Sequence, residues 1–131
     1  MDTLPFLEPR LIASAGDAAR PGEQLALAAS RCDSCDRVDF PRRDTCPACS
    51  GGVSDVQLSA GTLGGFTSVL HPPPGAQVET PYHLGVAVFP EGISVLGQLL
   101  VGSLEEVSTG DAVEVVATEV DGSATYAFRP V

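Results

Sequence analysis

The stretch RCDSCDRVDFPRRDTCPACS, residues 31–50, decides how the rest of the chain is read. It holds all four cysteines, as two C-x-x-C pairs, Cys32/Cys35 and Cys46/Cys49. A C-x-x-C turn aims two thiolates at one point from a tight knuckle. Two such knuckles complete a tetrahedron of sulfur around a zinc ion at ~2.3 Å. The gap between the pairs has room for one hairpin, with Val38, Asp39 and Phe40 as its strand and FPRRD (40–44) as its turn. Two disulfides or a redox-active pair are the alternatives, but one shared ion explains both pairs at this spacing. Iron would make the element a rubredoxin-like electron carrier. Phe40 is the only aromatic residue between the knuckles, which favours structural zinc.

Outward from this element the composition is that of a packed domain. Of the 131 residues, 44% are hydrophobic and only 5% aromatic, with 14 glycines and 11 prolines. That balance favours short strands and turns over long helices. The apolar stretch 56–78 is broken by glycines and by Pro72–Pro74, so it is no membrane-spanning helix. Asp2 stands where a signal peptide would carry positive charge, and a cytoplasmic location is expected.

Residues 1–24 read as a leader, in which LIASAGDAA (11–19) has room for one or two helical turns. Residues 25–54 form the ribbon, entered by an extended QLALAAS (24–30). Residues 55–131 read as β-structure throughout. A long strand over 56–70, bent at its glycines, comes first. LGVAVF (84–89) and ISVLGQLL (93–100) follow, joined by a PEG turn. In AVEVVATEV (112–120), Val113, Val115 and Ala117 are expected to face a core, and Glu114, Val116 and Thr118 to face away. Asp121-Gly122 is a hairpin turn into SATYAFRPV (123–131). The fold class is therefore mainly β: an N-terminal rubredoxin-like zinc ribbon followed by a five-stranded OB-fold barrel.

The charge map excludes one common use of such folds. Formal net charge is −10, and no Lys or Arg lies between Asp44 and Phe128. Such a barrel repels a phosphate backbone, so nucleic acid is not the expected partner. Arg31, Arg37, Arg42 and Arg43 cluster in the ribbon, interleaved with Asp33, Asp36, Asp39 and Asp44. The plain reading is a self-paired hairpin surface. The sharper one puts Arg42 and Arg43, after Pro41, against an anionic ligand or partner. His71 and His83 flank the segment 70–83, but no catalytic motif accompanies them. No catalytic residue is assigned.

Several runs taken in order carry a resemblance: ASRCDSCDRVDFPRRDTCPAC, LSAGTLGGFTSV, PYHLGVAVFPEGISVLGQL, TGDAVEVV and FRP. Over about residues 25–131 the chain resembles the zinc-ribbon plus OB-fold proteins of domain-of-unknown-function family 35. Asp36 and Ser50 stand where glycine commonly follows each knuckle. Gly64-Gly65 replaces bulkier residues, which is expected to leave a cavity or open surface. The resemblance implies a non-catalytic subunit that pairs with a thiolase-like enzyme: a thiolase, an acyltransferase or an aldolase, including those that shorten steroid side chains. It implies support of the partner's fold and of its acyl-CoA channel. On that basis Phe66, Thr67, Tyr82 and Phe128 would form a barrel face touching the acyl or pantetheine portion. Arg42 and Arg43 would meet nucleotide phosphates or an acidic patch. A stand-alone acyl-CoA-binding module is the alternative.

Overall fold

The computed structural model describes residues 3–13, 16–70 and 82–131. Ten strands appear among them: β1 (Leu4–Pro5), β2 (Ala18–Ala19), β3 (Leu27–Cys32), β4 (Val38–Asp39), β5 (Val53–Leu58), β6 (Ala60–Val69), β7 (Tyr82–Phe89), β8 (Ile93–Leu99), β9 (Ala112–Val120) and β10 (Ser123–Pro130). The expected class holds: a ribbon precedes a five-stranded barrel, and no α-helix occurs among the described residues.

The barrel closes in the order β10-β8-β7-β6-β9, with β9 paired back onto β10. Every pairing is antiparallel except that of β10 with β8. This is the OB-fold arrangement, which removes free sheet edges by closure. β6 makes closure geometrically feasible. Its start pairs with β9 and the rest with β7, and a bulge between Leu63 and Phe66 bends it. Gly64 and Gly65 occupy the bulge. Asp121 and Gly122 both have positive φ, 50° and 82°, as a tight hairpin with primed twist requires.

Leu63, Val113, Val115, Ala117 and Phe128 fill the core, joined by Phe89 and Leu99. Phe128 packs on Phe89 and Tyr126 with ring centroids 6.2 and 5.8 Å apart. Gly97 allows this, since a Cβ there would sit 2.8 Å from both the Phe128 and Tyr126 rings.

Three expectations change. The described residues of 11–19 form no α-helix; a short 3₁₀ turn covers Pro9–Leu11, and Ala18–Ala19 pairs with Leu4–Pro5. So short a segment cannot nucleate a helix against the tertiary bonds on offer. Ala13 donates to the Ala26 carbonyl, Phe6 bridges to Ala124 and Gln24 to Val116. Second, Val116 is buried, not outward to solvent, and the leader pairs along the edge of β9 with Gln24 opposite Val116. Gly22 donates to Ala117 O, Ala117 to Glu23 O and Leu25 to Val115 O, at 2.7–2.9 Å. Third, the long bent strand over 56–70 is two strands. β5 belongs to the ribbon sheet, in register with β3 from Leu27–Leu58 to Cys32–Val53, and the barrel begins at Ala60.

Candidate metal centre and contact surfaces

β3 and β4 carry the first knuckle between them, and β5 leaves the second. The two knuckles repeat one hydrogen-bond pattern. In the first, Asp36 donates to the Cys32 carbonyl and Cys32 to that of Arg37. In the second, Ser50 donates to Cys46 and Cys46 to Gly51. The residue after each knuckle has a left-handed φ, 63° at Asp36 and 62° at Ser50. That is why glycine is common there. Asp and Ser adopt the conformation at some cost.

The pattern brings the four sulfurs together. Cys32 and Cys49 Sγ are 3.4 Å apart, and Cys35 Sγ lies 3.7 Å from both Cys46 and Cys49. All four lie within 4.8 Å of one another. A tetrahedron with sulfur ~2.3 Å from its centre has an edge of about 3.8 Å, so the spacing fits one ion. The surroundings fit as well. The amides of Ser34 and Cys35 point at Cys32 Sγ, both at 3.4 Å. A Cβ on Gly51 would stand 3.3 Å from the sulfurs of Cys32 and Cys49. Gly51 thus keeps the cradle open.

The thiols themselves show why a cation belongs here. The amides of Cys35 and Ser34 bring Cys32 down to about 7. Cys49 goes up to about 12: the Gly51 amide lowers it, but the neighbouring sulfurs of Cys32, Cys35 and Cys46 outweigh that. Cys35 is likewise raised; the Arg37 amide lowers it, and Cys32 and Cys46 overcome the effect. The first proton leaves readily and the last is held, until a divalent ion supplies the missing positive charge. This is a metal-binding four-cysteine centre.

The other sequence candidates do not form one site. Arg42 is engaged by its own chain, with Nη1 2.9 Å from Asp44 and Nε against Asp55. The bond to the Asp55 carboxylate, more than that to Asp44, raises its pKa. It borders a groove of about 380 Å³ walled by Ala13, Ala28, Ala29, Val56 and Gln57. Arg43 is exposed; its amide donates to the buried Ser30 Oγ at 3.0 Å, and no carboxylate among the described residues pairs with its guanidinium. Arg37 pairs with Asp39 at 3.1 Å.

On the barrel, alternation splits the remaining candidates. Phe66 lies opposite Gly85 and packs against the core, whereas Thr67 lies opposite Leu84, and Val69 opposite Tyr82, on the outer face. Phe128 is 0% exposed, so it is a core residue and leaves the contact set. Gly65 meets open space, while Gly64 lies against Val86 and Val88. His83 Nδ1 is 2.8 Å from Ser68 Oγ. His71 and the HPPPG segment fall outside the described residues.

One surface went unnoticed in the sequence. The outer faces of β7 and β8 bring Val86 opposite Leu96 and Val88 opposite Ser94. Val88 is 43% and Leu96 57% exposed. Val88 also borders a groove of about 350 Å³ with Gly61, Thr62 and Pro90. The alternating valines of LGVAVF were its signal.

Two family descriptions match the sequence: "ChsH2, rubredoxin-like zinc ribbon domain" over residues 20–54 and "ChsH2, C-terminal OB-fold domain" over 56–118. The chain belongs to this zinc-ribbon plus OB-fold family. It is 32% identical over 96 residues to the benzoylsuccinyl-CoA thiolase subunit BbsA of Thauera aromatica, covering 72% of this chain. The chain spans 62% of that relative's length. Two solved structures share the fold. The Ltp2-ChsH2(DUF35) aldolase matches with a TM-score of 0.66 at 24% identity, covering 80% of this chain and 84% of that one. A DUF35-family protein of unknown function from Sulfolobus solfataricus matches with a TM-score of 0.50 at 16% identity, covering 81% and 76%.

Proposed function

We propose that this chain is the non-catalytic subunit of a heteromeric thiolase-like enzyme, held in shape by zinc, and that its partner supplies the reacting groups. The observation that carries the reading is the match to a thiolase subunit along most of this chain. The outer β7–β8 face supports it. In a chain of net charge −10, Leu84, Val86, Val88 and Leu96 form an uncharged surface of the kind a partner covers. All-thiolate donors in a tetrahedral cluster favour zinc as the ion. Reduced thiolates suit a cytoplasmic protein.

In its finer form, the partner's acyl-CoA thioester lies partly against this chain. Thr67, Tyr82 and the rim at Phe66 border the acyl or pantetheine portion. Arg43, whose guanidinium pairs with no carboxylate among the described residues, meets the nucleotide phosphates, and Arg42 takes part by releasing Asp44 or Asp55. The thiolase version is favoured by sequence identity. The aldolase version, with a steroid side-chain substrate, has a likeness of fold on its side.

The test is recovery from the source organism. Tagged chain is expected to co-purify with a larger thiolase-like protein and with acyl-CoA thiolysis activity. Leu96→Glu is expected to weaken that association at least tenfold without changing zinc content. Thiolysis by the purified chain alone would refute the reading. Tight CoA binding by the isolated chain, with no partner recovered, would replace it with a stand-alone acyl-CoA module.

A further inference from the structure

Arg31 occupies an unusual position. It follows the buried Ser30 and precedes the metal ligand Cys32 on the central ribbon strand, flanked by Val38 of β4 and Ser54 of β5. Its backbone is therefore fixed by the same element that fixes the sulfurs. Its side chain leaves the ribbon and reaches the turn between β7 and β8, where Nη2 donates to the Glu91 carbonyl at 3.4 Å.

Two polar atoms are left over. Arg31 Nε and Glu91 Oε1 are both buried without a hydrogen-bond partner among the described residues. One is an obligate donor and the other an acceptor, on opposite charges, and their residues already touch. A buried donor or acceptor without a partner is costly, and more so on an ion. An Nε–H bond onto Oε1 would remove both penalties at once.

We propose that Arg31 and Glu91 form an ionic clasp between ribbon and barrel, through which metal occupancy fixes the β7–β8 turn. When the sulfurs hold their ion, β3 is in register and Arg31 is placed to grip Glu91. When the ion leaves, the anchor at Cys32 loosens and the turn is released. Arg31 and Glu91 are positioning residues; neither touches the metal. The inference stands apart from the proposed function, because it holds whatever partner the chain has.

The test uses the full zinc-loaded chain and amide hydrogen exchange at Gly92, whose amide donates to Phe89 O at 3.0 Å, and at Ile93. Arg31→Met and Glu91→Gln are each expected to speed exchange there at least tenfold. The double variant should be no faster than either single one. Chelation should speed the same amides in the wild type and add nothing in Arg31→Met. Unchanged turn amides in Glu91→Gln, additive effects in the double variant, or an equal response to chelation in Arg31→Met would overturn the proposal. Glu91→Gln keeps the side chain's shape, so it reads out even if Arg31→Met folds poorly.

Discussion

Gly61→Ala and Gly65→Ala sit four residues apart on one strand and are expected to shift stability in opposite directions. An alanine Cβ at Gly61 would lie 2.5 Å from the Val88 carbonyl oxygen and 3.2 Å from the Phe89 ring. A backbone carbonyl in the β7 ladder cannot rotate away, so β6 and β7 must part. Overpacking of this kind costs about 1–3 kcal/mol. The reduced freedom of the unfolded chain returns about 0.4–1 kcal/mol, leaving a loss near ~2 kcal/mol at the restrictive end. At about 2.1 cal/mol/K of unfolding entropy per residue, and with 131 residues, that is roughly 7 °C in Tm. A Cβ at Gly65 meets nothing within 4 Å, and its φ is outside the left-handed region. There only the entropic part remains, a gain of about 0.4–1 kcal/mol. Thermal and urea unfolding at one fixed free-zinc concentration measure both, since bound ion shifts apparent stability. Equal effects in the two variants, or a Gly61→Ala protein as stable as wild type, would refute the close approach of β6 to β7.

Cys49→Ala is expected to abolish stoichiometric metal, measured by elemental analysis, and to remove amide protection from β3, β4 and β5. Structural zinc contributes roughly 10–16 kcal/mol, which rivals the roughly 5–15 kcal/mol net stability of a typical domain. A metal-free Cys49→Ala chain with a protected ribbon would contradict this. Glu114 gives a pH dependence. Its carboxyl lies below the ordinary range, chiefly because Arg129 donates to it and also because Gln24 does. A depressed carboxylate stabilises the fold above its unfolded pKa of about 4.3; that contribution is lost as pH falls through the folded value. An NMR titration should place the Glu114 midpoint below ~4.3, and Arg129→Gln should raise it. Glu114→Gln should lower the urea midpoint at pH 7, and its difference from wild type should narrow on acidification.

Much of this architecture was legible because its determinants are local. The ribbon is written in cysteine spacing, and spacing within 18 residues leaves little freedom. The barrel strands are written in alternation and in turns such as Asp121-Gly122. What escaped depends on distant chain. Val116 reads as outward-facing because alternation assumes water on the far side of the sheet, whereas in the fold it is fully buried. Residues 11–19 leave room for one or two helical turns because the leader's bonding partners, near residues 26, 116 and 124, are invisible to a local pattern. Phe128 is a contact candidate only through the resemblance, and nothing local in the sequence shows that Gly97 leaves room for its ring in the core. Arg42 stands out as a free guanidinium until Asp55, on another strand, is brought beside it.

The stitching of the leader to β9 and β10 also sets an order of events on the ribosome. Phe6 waits for Ala124, and at about 5–20 residues per second that interval is roughly 6–24 s. The cysteines need only the next few residues to emerge before they can close around an ion. The nascent chain thus acquires its metal knot early and carries a dangling N-terminal thread until its last hairpin is made. An N-terminal fusion lengthens the very segment that must dock last.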